Sequence, residues 1–149
     1  NLVSRGGIKY SKKENEYAKE IYQTMVSPGN VIGDQEKIRP YGTSHTYGST
    51  DVGDVSWVVP TVQMWGGNYA IGTPFHSWQM VAQGKSPMAY KGLTHAASVM
   101  AATAVDVILD SELRAKALAD LKSRVGSAGY ICPLPEGSSP PIEAMGGHL

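Results

Sequence analysis

Residues 86–109, SPMAYKGLTHAASVMAATAVDVIL, make up the longest stretch of this chain with a single consistent secondary-structure signal. Ser86 can cap a helix with its hydroxyl, and Pro87 suits the first helical position because its missing N–H has no partner there. The residues that follow are rich in Ala, Ser, Thr and Gly, so this helix can approach a neighbouring element closely. The stretch predicts a buried helix that ends near Leu109.

Two segments before this helix carry strand signals. Residues 57–65, WVVPTVQMW, are β-branched and aromatic and begin apolar on both faces, as in a strand inside a sheet, although Pro60 favours a bulge or a break. Residues 68–72 follow a Gly-Gly pair and predict a second, short strand. The predicted fold class is therefore α/β, with a small mixed sheet packed against helices.

Two further helices flank this region. Ser11 and Glu14 form a capping-box pattern, followed by an apolar stripe at Tyr17, Ile21 and Met25, which predicts a helix over about residues 12–26. After a break at residues 110–111, an apolar stripe predicts an amphipathic helix; its members are Leu113, Leu118, Leu121 and Val125. Residues 29–56 are rich in Gly, Asp, Ser and Thr and predict an extended binding loop. Residues 136–149 predict a flexible tail.

The composition excludes several classes of protein. Thirteen basic and thirteen acidic residues balance in 149, which argues against nucleic acid as a partner. Cys132 is the single cysteine, so there is no internal disulfide or cysteine zinc cage, and a reducing compartment is favoured. No apolar run approaches the roughly 20 residues that cross a bilayer. We therefore expect a soluble, cytoplasmic protein without membrane contacts, although the sequence begins at Asn1 rather than at Met.

The candidate chemistry lies in residues 45–76. Asp51, Asp54 and His76, with His45 nearby, combine carboxylates with an imidazole, and both group types bind divalent metals or relay protons. Their spacing matches none of the HExxH, CxxC, GxSxG or P-loop motifs. Each also has a structural interpretation, the aspartates as turn formers or helix caps and the histidine as a hydrogen-bonded loop residue.

The remaining candidates have stronger structural interpretations. His95 lies among alanines on the long helix, which is typical of a hydrogen-bonded core histidine. Trp57, Trp65 and Trp78 could line an aromatic pocket, but tryptophans near strands more often fill a core. Cys132 precedes a proline and has no histidine near it in sequence, which favours a structural role.

Longer runs of the sequence carry a family resemblance. They are residues 48–63, GSTDVGDVSWVVPTVQ, then residues 72–79, GTPFHSWQ, then the Lys91-Gly92 pair with the Ala-rich helix, and finally residues 130–135, YICPLP. Together they resemble the C-terminal part of the metallo-amidohydrolases of the aminobenzoyl-glutamate utilisation B type. This group includes hippurate hydrolase and is related to the aminoacylases and carboxypeptidases.

The resemblance implies how the chain is organised. Residues 1–135 would be the C-terminal portion of a metallopeptidase-type catalytic domain, and residues 136–149 its tail. The lid domain that interrupts such a catalytic domain is absent from this chain.

The resemblance also implies the site. His76 matches the last metal ligand of a two-metal site for zinc or manganese, which residues outside this chain would complete. Gly48, Ser49, Thr50 and Asp51 match the glycine-rich segment on the substrate side. The general base would lie outside the chain, so we assign no catalytic residue here and expect the chain alone to be inactive.

The implied reaction is hydrolysis of an N-acyl amino acid amide, similar to aminobenzoyl-glutamate, by a metal-activated water. The implied partners are this small-molecule substrate, the remainder of the catalytic domain, and a related A-type subunit or a second copy of the chain. The alternative is a stand-alone structural or binding module derived from such a hydrolase, without catalysis. A part of a larger domain should expose a large apolar face, which an independent module should not.

Overall fold

A computed structural model describes residues 1–26, 28–29, 31–42, 47–48, 50–142 and 144–146 of the chain. In these residues the regular structure is helical. Six α-helices and one 3₁₀ turn (Asp34–Glu36) follow in order. The helices are α1 (Leu2–Arg5), α2 (Lys12–Gln23), α3 (Val52–Val58), α4 (Trp78–Gln83), α5 (Pro87–Leu109) and α6 (Ser111–Val125).

The predicted mixed sheet is wrong, because the described residues contain no strand. Part of the expected strand 57–65 closes helix α3, and the extended backbone begins at Val59. Pro60 cannot donate to a β-ladder, and the carbonyl of Val59 accepts a 3.0 Å bond from the Thr61 hydroxyl. Residues 68–72 lead into a turn, in which the N–H of Thr73 donates to the carbonyl of Ala70 at 3.1 Å. Local hydrogen bonds thus replace strand pairing in both segments.

The chain divides into two compact units. The first unit comprises Asn1–Gly48 and Val62–Arg114, and the second comprises Ser49–Thr61 and Ala115–Leu149. In the second unit, the segment after α6 forms local turns. One of them is closed by a 3.1 Å bond from the N–H of Ser138 to the carbonyl of Pro135.

Helix α2 begins as the sequence predicts. The Glu14 N–H donates to the Ser11 hydroxyl at 3.3 Å, and the Ser11 N–H donates to the Glu14 carboxylate at 2.5 Å, so the capping box is confirmed. Ile21 is buried, and both Tyr17 and Met25 pack against the same cluster. The helix ends at Gln23, three residues before the predicted end.

The core of the first unit joins its N-terminal segment, α2, the turn at Ala70 and the start of α5. The buried residues of this cluster are Ile8, Tyr10, Ala18, Ile21, Ala70 and Met88. The Tyr10 hydroxyl donates to the carbonyls of Gly67 at 3.0 Å and Tyr69 at 3.2 Å. Burial, with a contribution from Glu14, raises the pKa of Tyr10 to about 12, so the phenol remains a donor at neutral pH.

A partly buried ion pair closes one side of this core. The Lys91 ammonium on α5 lies 2.5 Å from the Glu14 carboxylate on α2 and also donates to the carbonyl of Lys9 at 3.0 Å. The Glu14 side chain is only 8% exposed. The Lys91 hydrogen bond is the main reason why the pKa of Glu14 lies below its ordinary value of 4.5.

Helix α5 has the predicted start and end. The Ser86 hydroxyl accepts from the Ala89 N–H at 3.2 Å, Pro87 occupies the first turn, and the helix ends at Leu109. On its inner face, Gly92 allows close approach of residues 67–68. A Cβ atom at Gly92 would lie 2.7 Å from the Cα of Asn68 and 2.9 Å from the carbonyl oxygen of Gly67. The predicted burial of α5 holds for this face only.

The opposite side of α5 is apolar and exposed. Its residues recur at helical spacing and carry no charge. We call Tyr90, Leu93, Ala97, Met100, Ala104 and Ile108 the uncovered α5 face. Leu93 and Met100 are each 64% exposed, and Ile108 is 70% exposed. A helix that is apolar on both sides normally belongs to the interior of a larger body.

Helix α5 also differs from the expectation that no segment is long and apolar enough to cross a bilayer. Within the described residues, α5 is long and apolar enough to cross a bilayer by length and composition alone. The mean hydropathy of its most apolar 18-residue window is 1.5, and 11% of that window is buried. Its many alanines raise the mean hydropathy although it contains Lys91 and Asp106. One such helix is weak evidence for a membrane span, because core helices of other proteins pass the same test.

Candidate functional site

His76 lies in a turn of the first unit, directly before α4. Its side chain is exposed and its backbone is left-handed, with a φ of 59°. Few residues other than glycine adopt this conformation, although histidine is among those enriched in it. The surrounding structure must therefore hold the backbone at this position.

Hydrogen bonds anchor the turn on both sides of His76. Before it, the Thr73 hydroxyl donates to the carbonyl of Ala70 at 2.6 Å. After it, the Ser77 hydroxyl donates to the carbonyl of Pro74 at 2.7 Å and accepts from the N–H of Met80 at 3.3 Å, which caps α4. The imidazole thus projects from a short loop that is fixed at both ends.

Gln83, the last residue of α4, connects this turn to the helix through its side chain. Its side chain is fully buried, with an exposure of 0%. Its amide oxygen accepts from the N–H of Ala70 at 2.7 Å, and its amide nitrogen donates to the Thr73 hydroxyl at 3.0 Å and to the carbonyl of Gln79 at 2.9 Å. The sequence does not reveal this role, since a glutamine gives no local signal of burial.

Two aromatic rings flank the His76 turn. The ring centroids of Trp65 and Phe75 lie 5.9 Å apart at an interplanar angle of 57°, which is a favourable tilted contact. Both side chains remain more than 60% exposed, at 64% for Trp65 and 63% for Phe75. Trp65 therefore contributes to an exposed aromatic pair instead of filling a core, and Trp78 is likewise 61% exposed.

The predicted substrate-side segment lies at the start of α3. Gly48, Thr50 and Asp51 are exposed, whereas Ser49 and His45 lie outside the described residues. The Thr50 hydroxyl accepts from the N–H of Val52 at 3.3 Å. Asp51 occupies the N-cap position, but its side chain makes no capping hydrogen bond. The interpretation of Asp51 as a helix cap therefore does not account for its carboxylate.

The units divide these predicted residues. His76 and Gly48 belong to the first unit, and Thr50 and Asp51 belong to the second. Their assignment to substrate and metal remains a prediction.

A cleft in the second unit was not predicted from the sequence. It lies between α3 and the segment after α6, with a volume of about 440 Å³. The side chains that define it are Asp54, Trp57, Val125, Tyr130, Ile131 and Pro133. The Tyr130 hydroxyl donates to the Asp54 carboxylate at 3.0 Å. Asp54 thus bonds to a distant residue instead of forming the local turn that its sequence context suggests.

The electrostatics of this pair keep the phenol protonated. The hydrogen bond to Asp54, followed by desolvation, raises the pKa of Tyr130 to about 12. Cys132, which is free and exposed, contributes a smaller effect in the same direction. The Tyr130 phenol in the cleft is therefore neutral at neutral pH.

The described residues do not assemble a metal centre by themselves. No three His, Cys, Asp or Glu side chains among them are grouped so that they could hold an ion. His95 is used structurally, with its Nε2 atom 2.9 Å from the carbonyl of Gly6, while its buried Nδ1 atom has no partner in the described part of the chain. His148 lies outside the described residues. Any metal at His76 would need ligands from elsewhere.

Comparison with known proteins shows that this chain is similar to part of a hydrolase that acts on aminobenzoyl-glutamate. The particular relative is the B-type subunit of p-aminobenzoyl-glutamate hydrolase from Escherichia coli (strain K12), to which 106 residues, 70% of this chain, are 40% identical. The match covers 22% of the length of that protein. No family model matches the chain, and no solved structure gives a significant match. The resemblance to aminobenzoyl-glutamate hydrolases that the sequence predicted is thus confirmed.

Proposed function

We propose that this chain is one part of a hydrolase that cleaves the amide bond of an N-acyl amino acid similar to aminobenzoyl-glutamate. The observation that carries this proposal is the 40% identity over 106 residues to a subunit of such a hydrolase. Because the match covers 22% of that relative, the activity belongs to a larger assembly than the described residues. The chain alone should not turn over substrate.

Within this proposal, His76 supplies one imidazole ligand to a divalent metal, zinc or manganese. The exposed side chain and the anchored turn suit this role, since a ligand must be presented in a fixed direction. One imidazole does not hold such an ion, so the other ligands and the general base come from outside this chain. The metal would supply Lewis acidity toward water and the scissile carbonyl. Gly48, Ser49, Thr50 and Asp51 would contact the substrate.

The uncovered α5 face supports a role inside a larger body. Tyr90, Leu93, Met100 and Ile108 are exposed at one side of a helix whose other side contacts the core. Exposed apolar surface of this kind usually marks an interaction site. We propose that the remainder of the catalytic domain covers it, with an A-type subunit or a second copy of the chain as further partners. The single cysteine is consistent with a cytoplasmic location.

A chimeric protein tests the proposed function. This chain replaces its 106-residue counterpart in the Escherichia coli relative, and release of p-aminobenzoate from p-aminobenzoyl-glutamate is measured beside the unaltered relative. The chimera should hydrolyse the substrate, and His76→Ala should reduce turnover by more than about a hundredfold, since even outer-shell changes cost up to that much. Lys85→Ala, an exposed change nearby, should leave turnover unchanged.

The same experiment addresses the alternative of a non-catalytic module. A chimera that folds and assembles but does not release p-aminobenzoate, beside an active unaltered relative, would contradict the proposed function. A chimera that is active with His76→Ala would contradict the role of His76 only.

A further inference from the structure

The cleft of the second unit is lined by aromatic and apolar side chains and by one carboxylate. Trp57, which is 50% exposed, and the ring of Tyr130 stand beside the apolar side chains of Ile131 and Pro133. The cleft is open to solvent, and its volume of about 440 Å³ is at the lower end of the range of small-molecule sites, roughly 300–1,000 Å³. Flat aromatic and proline surfaces favour a flat ring as the occupant.

The oxygens of Asp54 and Tyr130 in the cleft favour an occupant that donates hydrogen bonds. One oxygen of Asp54 accepts the Tyr130 hydroxyl at 3.0 Å, and the second oxygen has no partner among the described residues. The phenol has given its only hydrogen to Asp54, so its oxygen can act only as an acceptor, toward an occupant of the cleft as well as toward the neighbouring Cys132 thiol. Two acceptors therefore face the cleft, and an amino group with two N–H bonds matches both.

The charge of the cleft disfavours an anionic occupant. Asp54 is the charged side chain among the residues that line it, and none of the lining residues is Lys, Arg or His. A carboxylate placed here would meet a like charge without a compensating cation. The glutamate half of an aminobenzoyl-glutamate substrate therefore does not suit this cleft, whereas its aromatic half does.

We propose that this cleft is a binding site for an arylamine, with the ring against Trp57 and the amino group donating to Asp54 and Tyr130. The inference rests on the proposed function for the identity of the natural ligand, which would be the aminobenzoyl half of the substrate. It assigns Asp54, Trp57 and Tyr130 to recognition of the acyl group. It also gives a role to the Asp54 carboxylate, which lines a largely apolar cleft.

Two neutral probes test the site on the 149-residue chain itself. Binding of 4-aminobenzamide and of benzamide, which differ only in the amino group, is measured by saturation-transfer NMR and titration. The amino compound should bind about tenfold more tightly, because it adds a hydrogen bond to a charged acceptor. Asp54→Asn should remove most of this difference, because the charged acceptor is lost and only the Tyr130 oxygen remains, and it should leave benzamide binding unchanged, since asparagine still accepts from Tyr130. Trp57→Leu should weaken both ligands.

Asp120→Asn, on α6 of the same unit, is the matched control and should change neither affinity. The arylamine site would be overturned if the wild-type chain, shown to be folded by circular dichroism, bound the two probes equally or bound neither.

The outcome is separable from that of the proposed function. Asp54-dependent binding to the chain, together with an inactive chimera, would sustain the site and reject the hydrolase. An active chimera whose KM for p-aminobenzoyl-glutamate does not change with Asp54→Asn would reject the site and sustain the hydrolase.

Discussion

The hydroxyl of Tyr130 donates a 3.0 Å hydrogen bond to the carboxylate of Asp54, a residue 76 positions earlier in the sequence. This bond joins α3 to the segment that follows α6 within the second unit. Because Asp54 accepts the phenolic hydrogen, the bond favours the protonated form of Tyr130. The consequence can be measured as a shift in the titration of one tyrosine.

We expect Tyr130 to ionise near pH 12 instead of 10.0, its ordinary pKa. The folded pKa is raised, so the stabilisation from this bond is complete below pH 10.0 and is lost as the pH rises through the folded value. The tyrosinate absorbance of the wild type minus that of Tyr130→Phe isolates this titration. Asp54→Ala should lower the pKa of Tyr130 and leave Tyr10 unchanged, since burial is the main cause of the Tyr10 shift. A Tyr130 titration unaffected by Asp54→Ala would refute the pairing.

The ion pair of Glu14 and Lys91 predicts acid sensitivity. The pKa of Glu14 is lowered chiefly by the Lys91 hydrogen bond, so its stabilisation is complete above pH 4.5 and is lost as the pH falls through the folded value. Glu14→Gln keeps an acceptor for the Ser11 N–H but removes the charge. It should reduce the free energy of unfolding by about 1–3 kcal/mol at neutral pH and flatten the loss of stability in acid.

The exposed pair of Lys37 and Asp34 provides the comparison for this change. The Lys37 side chain is 74% exposed and its pair with Asp34 is screened by solvent, so Asp34→Asn should cost clearly less than Glu14→Gln. Urea titrations at several pH values measure both variants. Equal costs for Glu14→Gln and Asp34→Asn would show that burial of the Glu14 carboxylate adds nothing.

The uncovered α5 face predicts self-association of the isolated chain. Burial of one large apolar side chain contributes about 1.5–3 kcal/mol, so Leu93→Gln, Met100→Gln and Ile108→Gln together should weaken association by more than about a hundredfold. Sedimentation velocity measures the change. In the control, glutamine replaces Val26, Val31 and Val62, which are exposed elsewhere in the first unit, and association should stay as in the wild type. A wild-type chain that is monomeric at high concentration would contradict the prediction.

The sequence predicts the helix starts that depend on local interactions, but it does not predict elements that depend on distant partners. Capping at Ser11 and Ser86 depends on residues three positions away, and the sequence predicted both helix starts. A strand depends on a distant partner, so the β-branched run near Trp57 predicted a sheet that the described residues do not form.

The candidate site divides in the same way. His76 was selected by the family resemblance, whereas the burial of Gln83 and the pairing of Asp54 with Tyr130 depend on folding. A glutamine and a tyrosine are common at surfaces, so neither residue type signals its role.

Gln83 should hold the turn that presents His76. Gln83→Met keeps a similar volume but removes the bonds to Ala70 and Thr73, and it leaves the Ala70 N–H buried without a partner. We expect a loss of about 2–4 kcal/mol in the free energy of unfolding. In the chimera, turnover should also fall because the turn is released. The control Gln63→Met, at an exposed position, should change neither the free energy of unfolding nor the turnover. If Gln83→Met also changed neither, the turn would form without the buried amide.

Two helical glycines should respond to alanine with opposite signs. At Gly92 on α5, a Cβ atom would lie 2.7 Å from the Cα of Asn68 and 2.9 Å from the carbonyl oxygen of Gly67. These are backbone atoms, so the helix must move outward, and Gly92→Ala should cost about 1–3 kcal/mol. At Gly53 on α3, nothing lies within 4 Å of the added atom. Gly53→Ala should therefore stabilise the helix by about 0.5–1 kcal/mol through its better helix propensity.

Thermal unfolding followed by circular dichroism tests both glycine variants on the same chain. Since both glycines lie within helices, propensity favours alanine at each, and only the contact with residues 67–68 can reverse the sign at Gly92. Stabilisation by Gly92→Ala would mean that α5 does not pack closely on that segment. In that case α5 would not support the start of the turn that carries His76, because residues 67–68 lead directly into the turn at Ala70.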